Sequence, residues 1–401
     1  MTDTVTTWLA DNAHPIDLTD PDLRPLDDLM RQATVVGLGE TTRAGVEVLQ
    51  LGHAVLRHLV RQHGFRGLIL QDDRSVVADL NRWVHGADDD VVKLLEYAWI
   101  PWQNTTTIEI LTWIRDYNTD HPDDPISLYG LTEPAARADD YDRVLDAITA
   151  VDPALAADIR EHYVVIRTAH QLGEHVQLAR GIHPGRPFVE HARQARHLLD
   201  GSTVSESILA VADLIVDFHA YSVAGGYDFT AAATSAATEI LRLRQETGQR
   251  LVYWEGIAHT SVSHHLVLHS LASTTSSPGG WLRDELGEGY VSVYIGFQQG
   301  EIHDGQQVPP PAEDFVDTAL STPQHDTYLV NLHAPAPDEV TRWLRGDHKI
   351  RVIAGVYNPA DDAEHYIYGQ DLATMFDAII RTRAITPTTM LSRRPKPSAA
   401  G

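Results

Sequence analysis

A short apolar run that ends in a glycine turn constrains this chain most strongly. Thr34–Leu38 is typical of a buried strand, and the glycine turn after it carries the carboxylate of Glu40 and then the guanidinium of Arg43. Apolar residues then recur at helical spacing up to Gly64, and Phe65–Leu70 is typical of a second buried strand. Such a strand, helix and strand form a right-handed parallel unit. Ligands collect at the carboxyl ends of parallel strands, so we expect a site at this turn.

The remaining pattern predicts a helix-rich α/β fold with a mostly parallel β-sheet flanked by helices. Further strands are predicted at Ile126–Leu131, Arg250–Trp254, Tyr290–Phe297 and Arg351–Val356. Residues 1–134 and 249–386 would form the two parts of the α/β core. Residues 135–248 contain helical patterns without strands and would form a helical insertion or subdomain. Residues 387–401 are rich in proline and basic residues, which predicts a flexible tail.

Composition narrows the class of partner. The 401 residues include 31 Lys and Arg against 56 Asp and Glu, a formal net charge of −25 that repels nucleic acid and anionic membrane surfaces. No apolar run approaches the roughly 18 residues that span a bilayer. The chain has no cysteine, which excludes disulfides, thiolate nucleophiles and Cys-ligated zinc. We expect a cytoplasmic enzyme or binding protein.

Familiar catalytic and cofactor motifs fail here. The turn at Gly37–Thr42 resembles the start of a dinucleotide fingerprint, but Thr42 stands at the third glycine, so no cofactor is predicted. A histidine cluster raises the question of a metal, because His265 and His269 would share a face if they lay on a helix. With 22 histidines in the chain, chance clustering explains this better, and no metal is predicted.

Polar residues follow several predicted strands and are therefore candidate site residues at the carboxyl edge of the sheet. His259 follows the strand Arg250–Trp254 and is expected beside the Glu40 turn, where an imidazole could exchange protons. The candidate substrate-binding residues are Thr42, Arg43, Asp73, Arg74, Glu133 and Glu255. The structural alternative for Glu40 and Arg43 is a salt bridge that locks the turn.

Several motifs resemble those of the erythromycin esterase family, and they occur in the same order along nearly the whole chain. They are Gly-Leu-Gly-Glu-Thr-Thr-Arg at Gly37–Arg43, Trp-Ile-Pro-Trp at Trp99–Trp102, Leu-Val-Tyr-Trp-Glu-Gly-Ile-Ala-His at Leu251–His259 and Phe-Asp-Ala-Ile-Ile at Phe376–Ile380. The resemblance implies a helix-rich α/β fold. It also implies metal-independent hydrolysis of a macrolide lactone by water that histidine and glutamate activate. Glu40 and His259 match residues of that machinery, so the resemblance makes them the candidate catalytic pair.

Three positions depart from the family pattern. Arg43 and Gly256 stand where histidines are expected, and Gln71 stands where a glutamate usually ends the second strand. Arginine stays protonated and has no acceptor lone pair, so Arg43 cannot act as a general base. A guanidinium can instead bind a carboxylate or stabilise an oxyanion, which suggests an anionic substrate.

Two classes of function therefore remain. The first is an erythromycin-esterase-like enzyme of secondary metabolism or antibiotic biosynthesis that acts on a natural product by general acid/base chemistry. Its reaction would be altered from macrolide lactone hydrolysis towards that of a lyase, cyclase or isomerase, or would be ester or lactone hydrolysis of another substrate. The second is a non-catalytic small-molecule-binding protein. Convergence of Glu40 and His259 would favour the enzyme.

Overall fold

The computed structural model describes residues 2–353 and 357–391. The strands are β1 (His14–Pro15), β2 (Val35–Glu40), β3 (Phe65–Asp73), β4 (Ser127–Thr132), β5 (Arg250–Gly256), β6 (Leu266–Leu268), β7 (Ser273–Thr275), β8 (Tyr290–Ile302), β9 (Gln306–Val308), β10 (Thr327–Asn331), β11 (Asp347–Arg351), β12 (Tyr366–Gln370) and β13 (Ala378–Ile385).

The α-helices are α1 (Asp3–Asn12), α2 (Asp27–Met30), α3 (Val46–His63), α4 (Arg74–Val84), α5 (Val91–Leu95), α6 (Thr105–Asp120), α7 (Asp140–Thr149), α8 (Pro153–Ile166), α9 (Glu174–Ala179), α10 (Phe188–Leu198), α11 (Glu206–Ala220), α12 (Phe229–Thr247), α13 (Ile257–Thr260), α14 (Pro278–Leu286), α15 (Val316–Ala319), α16 (Asp338–Leu344) and α17 (Leu372–Met375).

The main sheet has the strand order β1-β10-β13-β8-β2-β5-β3-β4, and β9 pairs with β8. Strands β13, β8, β2, β5, β3 and β4 are mutually parallel, whereas β10, β1 and β9 pair antiparallel with their neighbours. All six residues of β2 are buried, as expected for a strand covered on both faces. The α/β class and the mostly parallel sheet are confirmed.

The first strand, helix and strand follow the sequence closely. Helix α3 ends at His63, and Gly64 adopts φ +66° as its left-handed cap, a conformation that glycine adopts without steric cost. Strand β3 continues three residues past the predicted end, to Asp73. The carboxyl ends of β2, β5 and β3 therefore carry Glu40, Gly256 and Asp73 along one edge of the sheet.

Contacts divide the chain into two compact units. One comprises the residues up to Thr132 together with those from Phe229 onward, and the other is Glu133–Asp228. The sequence assigned helix α12 to the insertion at 135–248, but its Ala237, Ile240 and Leu243 pack in a cluster with strand residues such as Tyr253. Helix α12 therefore belongs to the unit that contains the sheet. The second unit has its own core, built from α7, α8, α10 and α11.

Other expectations differ from the structure. A second, antiparallel sheet with the order β11-β12-β6-β7 was not predicted. A strand was expected at Arg351–Val356, but the observed strand, β11, lies earlier in the chain and ends at Arg351. Residues 354–356 lie outside the described residues. In the expected tail, Pro387 and Met390 pair with Gly45 and Asn104, and residues after 391 lie outside the described residues.

Candidate functional site

Glu40 ends β2 and is buried at the carboxyl edge of the sheet, with 1% of its side chain exposed. Its Oε2 accepts a hydrogen bond of 2.8 Å from Nε1 of Trp254 on the neighbouring strand β5. Its Oε1 forms an ion pair with Nε of Arg43. Both carboxylate oxygens of Glu40 are therefore held by protein groups.

Arg43 lies between two carboxylates and two indoles. Besides its pair with Glu40, one terminal nitrogen lies 3.2 Å from Oε1 of Glu255. The guanidinium carbon lies 4.6 Å from the ring centroid of Trp99 and 4.9 Å from that of Trp102, within cation–π range. The sequence suggested that Arg43 binds an anionic substrate. The structure instead gives this cation two internal carboxylate partners, which corresponds to the salt-bridge alternative.

Glu255 connects Arg43 to His259. Its side chain is 2% exposed, and its Oε1 lies 3.8 Å from Nε2 of His259. With its amide nitrogen facing the carboxylate, Gln71 donates to both oxygens of Glu255, at 2.6 Å to Oε2. The His259 side chain is 34% exposed, so within this group it is the more accessible proton-transfer residue.

The backbone explains why these residues meet. Glu40 and Gly256 are partners in the parallel register of β2 and β5, so the residues after both strands leave the sheet side by side. A β-carbon at Gly39 would collide with Oγ1 of Thr260, so only glycine lets α13 lie directly on β2. Helix α13 carries His259 and is thereby held next to the end of β2.

Gly256 leaves space beside Glu40. A β-carbon at this position would lie 3.7 Å from the backbone oxygen of Glu40, an ordinary van der Waals distance. The absence of the expected histidine is therefore a difference in side-chain chemistry, and a backbone obstruction does not explain it.

Burial and neighbouring charges determine the pKa values of Glu40 and Arg43. Desolvation raises the pKa of Glu40 to about 7, with Glu255 acting in the same direction and Arg43 and Trp254 opposing it. Burial opposes the charge of Arg43 as well, but the carboxylates of Glu40 and Glu255 outweigh it and raise the pKa of Arg43. The two directions are consistent, because two carboxylates share one cation that keeps its proton. A further proton is therefore held most readily by Glu40.

Asp72 is a further buried acid near this group. It is 7% exposed, and its Oδ2 accepts a hydrogen bond of 2.8 Å from the backbone nitrogen of Trp99. Desolvation raises the pKa of Asp72 to about 7, while the amides of Trp99 and Asp73 and the charge of Arg43 act in the opposite direction. Because Asp72 fixes the backbone of Trp99, it supports one face of the Arg43 guanidinium.

Three predicted binding residues have identifiable partners. Asp73 is the N-cap of α4 and accepts from the backbone nitrogens of Ser75, at 2.6 Å, and Val76, at 3.4 Å. Arg74 pairs with Glu239 at 3.4 Å. The hydroxyl of Thr42 accepts a hydrogen bond of 3.2 Å from the nitrogen of Ala44.

An open cleft of about 530 Å³ runs beside Arg74. Residues of α12 line it, among them Thr234, Thr238 and Glu239. Glu133, the remaining predicted binding residue, is the first residue of the second unit. Its role stays a prediction.

The segment between His265 and His269 forms the short strand β6 and not a helix. His265 precedes β6 and His269 follows it, so the two do not share a helix face. His264 instead pairs with Asp284 at 3.1 Å, and His269 pairs with Glu364 at 2.7 Å. The apolar run Leu266–Leu268 is too short for periodicity to distinguish a strand from a helix.

Comparison with known sequences decides the family. The sequence profile that describes erythromycin esterases matches residues 60–385. The chain belongs to the erythromycin esterase family. An erythromycin esterase type II from Escherichia coli is 29% identical over 118 residues, which cover 28% of this chain and 27% of that enzyme.

Solved structures of the same fold cover nearly the whole chain. A Bacillus cereus protein has a TM-score of 0.66 at 19% identity, covering 97% of this chain and 98% of its own. A succinoglycan biosynthesis protein has a TM-score of 0.65 at 18% identity, covering 96% and 97%. A mutant of the erythromycin esterase EreC in its open conformation has a TM-score of 0.57 at 14% identity, covering 93% and 98%.

None of the helices in the part of the chain that the structure describes combines the length and apolar character needed to cross a bilayer.

Proposed function

We propose that this member of the erythromycin esterase family is a hydrolase-type enzyme that acts on a small-molecule natural product by general acid/base chemistry. Its reaction is altered from macrolide lactone hydrolysis and needs no metal at this site. The observation that carries the proposal is the continuous series of contacts Glu40, Arg43, Glu255 and His259 at the carboxyl edge of the sheet.

His259 is the proposed proton-transfer residue. It is the accessible member of the series, and imidazole exchanges protons near neutral pH. Glu255 lies 3.8 Å from its Nε2 and stabilises the imidazolium that forms when His259 takes a proton. In an ester or lactone hydrolysis, that proton would come from the attacking water and would return to the leaving alkoxide.

Glu40 is the proposed buried acid of the site. Because its pKa is raised to about 7, its carboxyl exchanges a proton in the same pH range as an imidazole. Trp254 and Arg43 hold it in one orientation. Glu40 and Glu255 together set the charge around Arg43, and this charge changes when Glu40 gains or loses its proton.

The charge balance favours a neutral or cationic substrate over the anionic one that the sequence suggested. Arg43 is matched by Glu40 and Glu255, and Asp72 adds a third acidic group nearby. An anion would have to displace an internal carboxylate from Arg43, which leaves a buried charge unpaired. Trp99 is 44% exposed beside the guanidinium and offers an aromatic face to a substrate.

The finer assignment is to secondary metabolism, with antibiotic biosynthesis as the setting and the cytoplasm as the location. It rests on the family membership and on the two substituted histidine positions, Arg43 and Gly256. Within this assignment, a lyase, cyclase or isomerase reaction and hydrolysis of a different ester or lactone both remain compatible with the groups present.

The test measures turnover of simple lactones, aryl esters and erythromycin by the purified protein and by Glu40→Gln and His259→Ala variants. We expect erythromycin hydrolysis to be absent or very weak, because Arg43 and Gly256 replace histidines. We expect both variants to lose a factor of roughly 10² to 10⁴ in turnover of any probe that the wild type converts. His264→Ala is the control, since His264 pairs with Asp284.

Three outcomes would contradict the proposal. Rapid erythromycin hydrolysis would show that the chemistry is not altered. Full activity of both variants would refute the site. Binding of these lactones and esters without turnover of any of them would favour the non-catalytic alternative.

A further inference from the structure

Three potential metal ligands, Asp27, His58 and His63, lie close together in the unit that contains the sheet. They lie near the amino end of β2, whereas Glu40 lies at its carboxyl end. Nε2 of His58 and Nε2 of His63 each lie 2.8 Å from Oδ1 of Asp27. The three ligand atoms all lie within 4.8 Å of one another. The two imidazole rings are tilted by 57° with their centroids 5.4 Å apart, and both direct Nε2 to Oδ1 of Asp27.

Rigid elements hold these side chains. His58 and His63 lie in the last two turns of α3, and Asp27 is the first residue of α2. The guanidinium of Arg250 donates to the carbonyl of His63, at 2.5 Å, and to that of Met30, the last residue of α2. One side chain therefore ties α2, which begins with Asp27, to the end of α3 that carries His58 and His63.

We propose that Asp27, His58 and His63 bind a divalent transition-metal ion of the Zn²⁺ class. Two imidazole nitrogens and one carboxylate oxygen are a ligand set that zinc prefers, and a water would fill the fourth tetrahedral position. Tetrahedral ligands about 2.0 to 2.1 Å from zinc are separated by roughly 3.3 Å. Oδ1 of Asp27 now lies 2.8 Å from each imidazole nitrogen, so these two distances need to widen by only about 0.5 Å, which side-chain rotation can provide.

Exposure is suited to capture of an ion from solvent. The His58 and His63 side chains are only 11% and 13% exposed, whereas the Asp27 side chain is 43% exposed and opens the cluster to water. Neutral imidazoles and one carboxylate give the ligands a charge of −1. The net charge of −25 on the chain further raises the local concentration of cations.

The proposed metal is separate from the proposed catalytic group. The cluster adjoins the amino ends of β2 and β3, whereas Glu40 ends β2, a strand about 16 Å long at the usual rise per residue. The ion would join α2 to α3 and stabilise the folded unit. The competing explanation is a plain hydrogen-bonded cluster in which both imidazoles donate to Asp27.

The experiment titrates the full-length protein with Co²⁺ and records the visible absorption of tetrahedral cobalt, followed by displacement with Zn²⁺. We expect one high-affinity site in the wild type and an upward shift of Tm on adding Zn²⁺. Asp27→Asn, His58→Gln and His63→Gln should each weaken binding at least about tenfold. His197→Gln is the matched control, because His197 pairs with one carboxylate, Asp200, at 3.0 Å.

Asp27→Asn keeps the shape of the side chain and its ability to accept a hydrogen bond, so it tests the ligand role even if a buried histidine variant unfolds. Circular dichroism without metal establishes that each variant is folded. The proposal is overturned if the wild type shows no tetrahedral cobalt spectrum. It is also overturned if folded Asp27→Asn binds Co²⁺ as tightly as the wild type and the His197→Gln control.

Discussion

Arg43 sets the electrostatics of the candidate site at the scale of a single residue. Its side chain is 9% exposed and faces the nearly buried carboxylates of Glu40 and Glu255. Removing one partner of a buried ion pair leaves an uncompensated charge, so Arg43→Met should lower the free energy of unfolding by about 3 to 5 kcal/mol. Chemical denaturation at pH 8 measures this.

Arg24→Met is the control, since Arg24 pairs with Asp22 at an exposed position, and this variant should change the free energy of unfolding little. Equal effects of the two variants would contradict the structure of the site.

Asp73 was predicted to bind substrate, but in the structure it caps helix α4, and variants can distinguish the two roles. Its carboxylate accepts from the first backbone nitrogens of α4, so Asp73→Ala should cost about 1 kcal/mol of unfolding free energy. Asp73→Ser restores a capping oxygen and should recover most of that stability. A KM that rises equally in both variants would show instead that the carboxylate binds substrate.

Sequence reasoning at this scale predicted where the candidate residues lie along the sheet but not all of their contacts. Glu40, Glu255 and His259 were predictable because each follows a strand whose apolar run is easily seen. The roles of Trp254 and Asp72 were not, because they depend on side-chain contacts between segments distant in the chain. The Trp99–Trp102 motif was visible as a family feature, but its stacking on Arg43 required the tertiary structure.

At the scale of elements, α3 supports the site through a glycine. A β-carbon on Gly52 would collide with the indole of Trp254, which donates to Glu40. Gly52→Ala should therefore cost about 1 to 3 kcal/mol through overpacking and should also lower turnover, although alanine is otherwise the better helix former.

Gly64→Ala is the control for Gly52→Ala, because it adds backbone strain to the same helix without a collision with Trp254. Its φ of +66° strains any side chain by roughly 1 to 2 kcal/mol, but the space around it is open and it leaves Trp254 alone. Turnover per folded molecule should stay unchanged in this control. Denaturation curves and steady-state rates of both variants check the prediction, which fails if Gly52→Ala keeps full activity.

Element prediction succeeded where patterns are long. The 18 residues of α3 show a clear helical period and end at a glycine, so both ends were predictable. The second sheet was missed because β6 and β7 have three residues each, too few to show alternation. The assignment of α12 failed because a helical pattern alone does not indicate which core the helix joins.

At the scale of the whole molecule, buried acids make stability depend on pH. The pKa values of Glu40 and Asp72 are raised by burial to about 7 from ordinary values of 4.5 and 3.8. Their contribution is therefore fully present below about pH 4 and is lost as the pH rises through 7. Glu40→Gln combined with Asp72→Asn should flatten the fall in unfolding free energy between pH 5 and 8, as measured by denaturation at each pH.

In the second unit, a buried histidine gives stability the opposite dependence on pH. Burial lowers the pKa of His219 from 6.5 to about 3, and its Nε2 lies 2.9 Å from the hydroxyl of Tyr141. Its contribution is present above pH 6.5 and is lost as the pH falls towards 3. The double variant of the first unit should therefore leave acid sensitivity intact. Loss of that sensitivity would contradict the assignment of the two trends to different groups.

The proximity of the Arg43 guanidinium to the rings of Trp99 and Trp102 has an optical consequence. A guanidinium 4.6 Å from the exposed indole of Trp99 changes the surroundings on which the emission of that ring depends. Any molecule that displaces the cation or covers the ring will shift the intrinsic fluorescence, and a Trp99→Phe difference spectrum isolates that signal. Compound libraries can thus be screened on the unlabelled protein before any reaction is known.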